Sequence, residues 1–184
     1  QGRAEAMRAA HPDALVDLLR RVGDLSTGEL ALRFEIDPGE WLRELESRRR
    51  VVALRIAGES RWVAAEDAAL YRDALGCVPP VGLASALLEA TVEPMEQLLL
   101  RYARTHAPFP AAQLARRFEL LPAQAEVALG LLEARGRLLS GEFRPGGRER
   151  EWCDAEVLRR IRRRTVCARL AIEYLLHPVQ IEQS

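Results

Sequence analysis

Five arginines in six residues, Arg159, Arg160, Arg162, Arg163 and Arg164, make the densest charge cluster in this chain of 184 residues. A guanidinium is a planar fork of donors that matches phosphate oxygens two at a time. The cluster outnumbers the acids near it in sequence, so it reads as a face that tracks phosphates. The alternative is a helix surface paired with acids elsewhere. A second group lies just upstream, in Arg144-Pro-Gly-Gly-Arg-Glu-Arg150, where a glycine-containing loop carries Arg144, Arg148 and Arg150. These also reach phosphates, unless the loop is a solvated hairpin tip paired with Glu142, Glu149 and Glu151. The eight arginines are the candidate nucleic-acid contacts.

Arginine abundance alone argues little here. All 27 basic residues are arginine, and the chain has neither lysine nor asparagine, the signature of a GC-rich bacterial genome. The 27 acids bring the net charge to zero, but unevenly: residues 1–80 hold 12 arginines against 14 acids, residues 135–169 hold 11 against 5. A nucleic-acid face belongs in the second region. Apolar residues at 48% indicate a packed domain, and there is no 18-residue apolar run, so no membrane partner is expected. Three scattered cysteines fit a reducing, cytoplasmic setting. Gln1 at the first position suggests an excised fragment.

Catalytic and metal chemistry find no foothold. The sequence lacks a GxxxxGK[ST] phosphate loop, GxGxxG after a strand, GxSxG and HExxH, so no catalytic residue, metal or cofactor is assigned to it. His11, His106 and His177 are dispersed; His106 precedes a helix start and should hydrogen-bond there. Cys77, Cys153 and Cys167 read as small apolar fillers.

The elements that position the arginines come in two copies. Leu25, Glu29, Leu30, Ala31, Arg33 and Phe34 align with Phe109, Gln113, Leu114, Ala115, Arg117 and Phe118, and Pro38 with Pro122, at one constant offset. After short insertions Leu45–Val52 aligns with Leu132–Leu139, and Trp62 with Trp152. Each copy reads as three helices and a short hairpin, the pattern of a winged helix-turn-helix unit. The expected fold is mainly α with small β-hairpins: winged helices in tandem at 12–76 and 94–165, a linker at 77–93, and a long basic helix at 154–177. Asp154 caps that helix, and Leu158, Ile161, Thr165, Ala168, Ile172 and Leu176 form its apolar stripe.

Spacing assigns faces within each copy. Met95, Leu98, Leu99 and Tyr102 form one stripe. In the third helix of the second copy Val127, Leu131 and Leu132 should face inward and Gln124, Glu126, Leu129 and Glu133 outward, with Gly136 closing the helix. Ser26 and Glu29 form a capping box in the first copy. Hairpins are expected at Val51–Ile56 with Arg61–Val63 and at Leu138–Phe143 with Arg148–Cys153. Trp62 and Trp152 should be core anchors, and Trp41 should pack against a neighbouring domain. None of the outward candidates in the second copy's third helix is basic, and Glu40, Glu44 and Glu46 load the first copy's with acid, offset only at its end by Arg48, Arg49 and Arg50, so backbone contact without base specificity is expected.

Several strings resemble the bacterial large helicase-related, or Lhr, family: Arg61-Trp-Val-Ala-Ala-Glu-Asp-Ala-Ala-Leu-Tyr-Arg-Asp-Ala-Leu-Gly76, Val78-Pro-Pro-Val-Gly-Leu83, Arg101-Tyr-Ala-Arg-Thr-His106, Pro108-Phe109, Gly141-Glu-Phe-Arg-Pro-Gly-Gly147 and Glu151-Trp-Cys-Asp-Ala-Glu-Val-Leu-Arg-Arg160. The family usually has glycine where this chain has Ala107, and the match fades after about Thr165. The resemblance implies a superfamily 2, ATP- and magnesium-dependent helicase that unwinds DNA or RNA–DNA duplexes in DNA repair. This chain would be part of its C-terminal winged-helix extension, without the motor, contacting DNA or RNA–DNA hybrid backbone and other helicase domains. Two rival readings stand beside it: an assembly module that packs its third helices on partner domains, and, with less support, part of a DNA glycosylase-like unit.

Overall fold

A computed structural model describes residues 11–143 and 149–163. Its elements are helices with two small antiparallel sheets. The order begins with α1 (Pro12–Val22), α2 (Thr27–Phe34), α3 (Gly39–Ser47), β1 (Val51–Ile56), β2 (Glu59–Ala64) and α4 (Ala68–Leu75). A 3-10 turn, Ser85–Leu88, lies in the connection to α5 (Pro94–His106). Then come β3 (Phe109–Pro110), α6 (Ala111–Phe118), α7 (Pro122–Ala134), β4 (Leu138–Gly141) and β5 (Glu151–Asp154). Residues 155–163 form a further helix, α8. The helix expected to reach 177 is described no further than 163, and Arg144, Arg148, Arg164 and Cys167 lie outside the described residues.

Equivalent positions of the two copies adopt equivalent geometry. Glu35 ends α2 and Glu119 ends α6, both left-handed, at φ 56° and 54°. Arg49 after α3 and Gly136 after α7 are both left-handed too, at φ 54° and 69°. Leu25 pairs with Trp62 as Phe109 pairs with Trp152. The Ser26–Glu29 capping box forms in both directions. Both hairpins differ from their expected lengths. The first runs longer, its β2 starting at Glu59, because Ala57 and Gly58 close a two-residue turn with φ of 50° and 75°. The second is shorter, ending at Gly141 and resuming at Glu151.

The first hairpin is a wall between two cores. Val51 and Ala64 face α1, α2 and α3, joining Leu15, Leu19, Leu30 and Leu45. Val52, Leu54, Ile56 and Val63 turn the other way and merge with α4, α5 and the second copy's core around Leu98, Phe109 and Trp152. Strand alternation alone produces this division. The two copies therefore share buried apolar surface.

Charge completes the join. Arg117 of α6 reaches into the first copy, donating to Glu29 Oε1 at 2.6 Å and to the Asp24 carbonyl at 2.5 Å. Its Nε lies 2.9 Å from Asp24 Oδ2, an ion-pair contact too poorly aligned for a hydrogen bond. Asp24, only 4% exposed, also accepts from Arg61 at 2.8 Å and from the Tyr71 hydroxyl at 3.1 Å. Burial, with Asp24 beside it, pushes the Tyr71 hydroxyl well above its ordinary range. Gly23 makes this approach possible, since a Cβ there would sit 2.7 Å from the Tyr71 oxygen.

The α7 faces match expectation at Leu132, Gln124 and Glu126 and differ at Val127, Leu129 and Leu131. Ala125, Leu129 and Leu132 are buried, whereas Val127 and Leu131 are 64% and 58% exposed. Both sets obey helical spacing on a helix with apolar residues all round, so period alone could not choose. Trp152 is fully buried, and Trp62 is half-buried against the first core. Trp41 meets Phe34 edge-on at 5.8 Å in its own copy rather than a neighbouring domain. His106 ends α5, stacked 4.1 Å over Tyr102 with Nδ1 3.2 Å from the Tyr102 carbonyl, rather than opening the next helix. Burial holds its pKa below the ordinary histidine value.

Two stability predictions follow from these contacts. Burial raises the Glu29 carboxyl, but Arg117 and the Ser26 backbone N–H outweigh it and hold its pKa below the ordinary value. A depressed carboxylate lends stability that is present at neutral pH and drains as pH falls through the acid range. Arg117→Met should cost about 3 kcal/mol at pH 7, leaving Asp24 with one partner fewer, and should flatten the acid side of the stability curve. Denaturant midpoints from pH 7 to 3 check both. Separately, Trp62 Nε1 donates to Thr27 Oγ1 at 3.0 Å, but Trp152 Nε1 is buried without a hydrogen-bond acceptor among the described residues, Ala111 standing where the first copy has that threonine. Ala111→Ser should raise stability by about 1 kcal/mol, seen as a gain of about 2–4 °C in Tm.

Candidate nucleic-acid interface

Helix α8 begins on Asp154, whose carboxylate accepts the N–H groups of Glu156 at 2.8 Å and Val157 at 3.1 Å. Those backbone donors need a partner, and a buried aspartate at this position supplies it. The cap fixes where the arginines emerge. Arg159, Arg160, Arg162 and Arg163 are all exposed. Glu156 is the acid that meets the first two, loosely, at 3.4 Å and 3.9 Å. Arg162 and Arg163 have no acid within ion-pair distance among the described residues. Exposed pairs this loose contribute little and leave the guanidinium faces open.

Arg150 is placed differently from these four. It donates to Glu133 Oε2 at 2.7 Å and to Ser140 Oγ at 2.8 Å, and its guanidinium lies 4.6 Å above the Trp152 ring. Glu133 also accepts the Ser140 N–H at 3.1 Å and its hydroxyl at 2.6 Å. Arg150 thus ties the end of the second hairpin to α7. The structure brings together Arg159, Arg160, Arg162 and Arg163 on one short helix and holds Arg150 in a separate contact set.

A cleft of about 710 Å³ opens beside α8, and its other walls are the end of α1 and the end of α5. Here lie arginines that sequence reasoning missed. Arg20 and Arg21 come from α1, Arg101 and Arg104 from α5, and Arg137 from the turn after α7. Two of them are structural: Arg20 holds Glu66 at 2.5 Å and Arg101 grips Asp67 with both nitrogens, at 2.5 Å and 2.9 Å. Arg104 is 3.5 Å from Asp154 and Arg137 3.6 Å from Glu96, while Arg21 has no ion-pair partner among the described residues. A fold that joins residues 20 and 160 leaves no signal in local charge counts.

The outward surface of α7 carries Ala123, Gln124, Glu126, Val127 and Leu131 and no basic residue. Leu129, expected there, is buried. On α3 the exposed Glu40 and Glu44 are joined by Arg43, and Arg48 is 3.0 Å from Glu44. Beside Leu131, the residues Met95, Leu99 and Ala128 line an apolar pocket of about 270 Å³. Among the described residues there is no group of three or more His, Cys, Asp or Glu placed to hold a metal ion, and no helix is long and apolar enough to cross a membrane.

Comparison with known proteins identifies the surroundings of this surface. The family described as large helicase-related protein, winged-helix domain, matches residues 1–90. The Lhr helicase/probable uracil glycosylase of Mycolicibacterium smegmatis is 38% identical over 161 residues, 87% of this chain and 11% of that protein. This chain belongs to the winged-helix region of the Lhr family. The Lhr helicase/uracil glycosylase of Escherichia coli is 34% identical over 168 residues, 90% of this chain and 10% of that protein. The chain therefore spans about a tenth of the length of the curated Lhr relatives it matches.

Because Arg150 is engaged in the fold, its loss should register in stability. Arg150→Ala should cost about 1 kcal/mol from the lost pair and the lost cation–π contact, measured by thermal unfolding.

Proposed function

We propose that this chain is a non-catalytic nucleic-acid-binding module of an Lhr-type, ATP-dependent superfamily 2 helicase serving DNA repair. In this reading it is two winged-helix units in tandem, in the C-terminal extension of the parent and in the cytoplasm. It holds DNA or RNA–DNA hybrid by the phosphate backbone without reading bases. The observation that carries the reading is a contrast between surfaces. The third helices, which in winged-helix proteins enter the major groove, present mainly carboxylates and aliphatic side chains here, with Arg43 the one exposed arginine between them. Open guanidinium groups gather instead on α8, at Arg159, Arg160, Arg162 and Arg163. Carboxylates repel phosphates and aliphatic groups give bases no donors, so affinity on this chain comes from charge. Arg144, Arg148 and Arg164 belong to the same set by sequence, and Arg150 supports it from the hairpin.

A second reading has its own observation. Val127 and Leu131 are exposed beside the apolar pocket at Met95 and Leu99, a surface suited to packing against another domain of the helicase. Both readings hold together if α8 faces nucleic acid and α7 faces protein. The relatives' names include uracil glycosylase. We assign no part of base excision to this tenth of their length, and a uracil-excision assay on the chain alone should stay blank.

The test is a salt titration of binding to fluorescent single-stranded and duplex DNA of unrelated sequences. Affinity should be the same across sequences, with a log–log slope of several units. Arg159→Gln/Arg160→Gln/Arg163→Gln should weaken binding to every sequence and reduce the duplex slope by about 2 to 3 units, near 0.9 per lost phosphate contact. A slope unchanged by those substitutions would remove α8 from the interface.

A further inference from the structure

We propose that the cleft between the two copies is itself a phosphodiester-binding track, with Arg21, Arg104 and Arg137 as contacts alongside Arg159 and Arg160. This rests on the nucleic-acid reading above and adds to it a location and residues from both copies.

Four separate segments aim guanidinium groups at this one space of about 710 Å³: the end of α1, the end of α5, the turn after α7 and the first turns of α8. Their charges are incompletely spent. Arg104 and Arg137 stand 3.5 Å and 3.6 Å from their acids, Arg159 and Arg160 share Glu156, and Arg21 has no ion-pair partner among the described residues. The acids in the walls are Asp154 and Glu156, and the Asp154 oxygens are occupied by the α8 cap and Arg104. Arginine-to-phosphate contact restores full bidentate pairing to such groups, which a monovalent counterion cannot do.

The lining also says which part of a nucleic acid enters. Among the described residues no Phe, Tyr, Trp or His lines the cleft, so these walls offer no platform for stacked bases. What remains suits a backbone whose bases point away. The ligand is a polymer rather than a small anion, because the basic row continues along α8. Arg163 lies one turn beyond Arg159, with Arg162 beside it. Backbone chemistry is common to single strands and duplexes, and both must be tried.

The rigidity of the junction strengthens the placement. Arg101 and Arg20, in the same walls, are locked on Asp67 and Glu66. Those pairs hold both α5 and α1 to the segment between β2 and α4. The neighbouring arginines, loosely paired or unpaired, are thus presented on a fixed frame, which lowers the ordering cost of binding.

The experiment uses the whole chain with a fluorescent 12-nucleotide single strand and the matching duplex. Two variants lose the same charge. Arg21→Gln/Arg104→Gln/Arg137→Gln empties the cleft walls, and Arg43→Gln/Arg55→Gln/Arg116→Gln removes three arginines that do not line it. Thermal unfolding confirms that both fold. The expected result is at least a roughly tenfold loss of affinity for one or both DNAs at low salt in the cleft variant, with its slope reduced by about 2 units. The control should stay within about twofold of the parent chain. The arm that loses affinity identifies the strand form the cleft accepts. If the chain binds and the two variants behave alike, the cleft is overturned while the module reading stands. If the unsubstituted chain binds neither DNA, the cleft and the module reading fall together.

Discussion

The structure depends on keeping one buried carboxylate, Asp24, satisfied from both copies at once. A charge removed from water is costly unless opposite charge and hydrogen bonds replace the lost hydration. Asp24 receives Arg61 from the first hairpin, Tyr71 from α4 and Arg117 from α6. Arg61 in turn donates to the Arg117 carbonyl at 3.3 Å, so the node is cross-tied through both side chain and main chain. Apolar packing could accept several sliding arrangements of two helical units. A directional set of charged donors accepts one. With the Arg101–Asp67 pair beside it, the node sets the angle at which the second copy meets the first, and hence the geometry of the cleft between them.

That junction separates the roles of the two hairpins. A hairpin free on its outer side can lie along a nucleic-acid backbone. The first hairpin instead is closed by a minimal turn and contributes side chains to two cores, so both its faces are engaged in packing. Helix α2 has given Glu29 to Arg117. The second copy keeps its α7 surface open. Aligned segments thus carry unequal work, because the first serves as the bearing for the second and only the second leads into the basic helix.

The repeat was legible because its markers are local. A proline opening a helix, a left-handed residue closing it and a tryptophan on a strand each follow from a few adjacent residues. Glu35 with Glu119 and Arg49 with Gly136 adopt matching backbone at the aligned positions. The burial of α7 was legible only at Leu132 and at the polar Gln124 and Glu126, since Ala125–Leu129 and Val127–Leu131 satisfy the same period and only tertiary contact chooses between them. The ionic node was invisible for a different reason. Arg33 and Arg117 align in the repeat, yet Arg33 bonds its own helix through the Glu29 carbonyl while Arg117 crosses to Glu29 Oε1. Equal sequence positions met different neighbours, and neighbours are what decide an ionic partner.

The same point bears on reading charge in a chain without lysine. Every positive group here is an arginine, whether it glues the fold or faces a ligand, so residue type cannot separate the two roles. Geometry can. Arg61 is 7% exposed and pairs with Asp24 and Glu59, while Arg101 and Arg117 are largely enclosed and each grips a carboxylate with both terminal nitrogens. Arg21, Arg162 and Arg163 have no such partner among the described residues. The zero net charge therefore does not describe the surface a polyanion would meet. Four acids, Asp24, Glu29, Glu66 and Asp67, are engaged inside the first copy and at the junction, and loosely paired or unpaired arginines gather where the copies meet and along α8. Electrostatic attraction acts over about a Debye length, near 8–10 Å at physiological salt, so this local excess rather than the total sets what approaches.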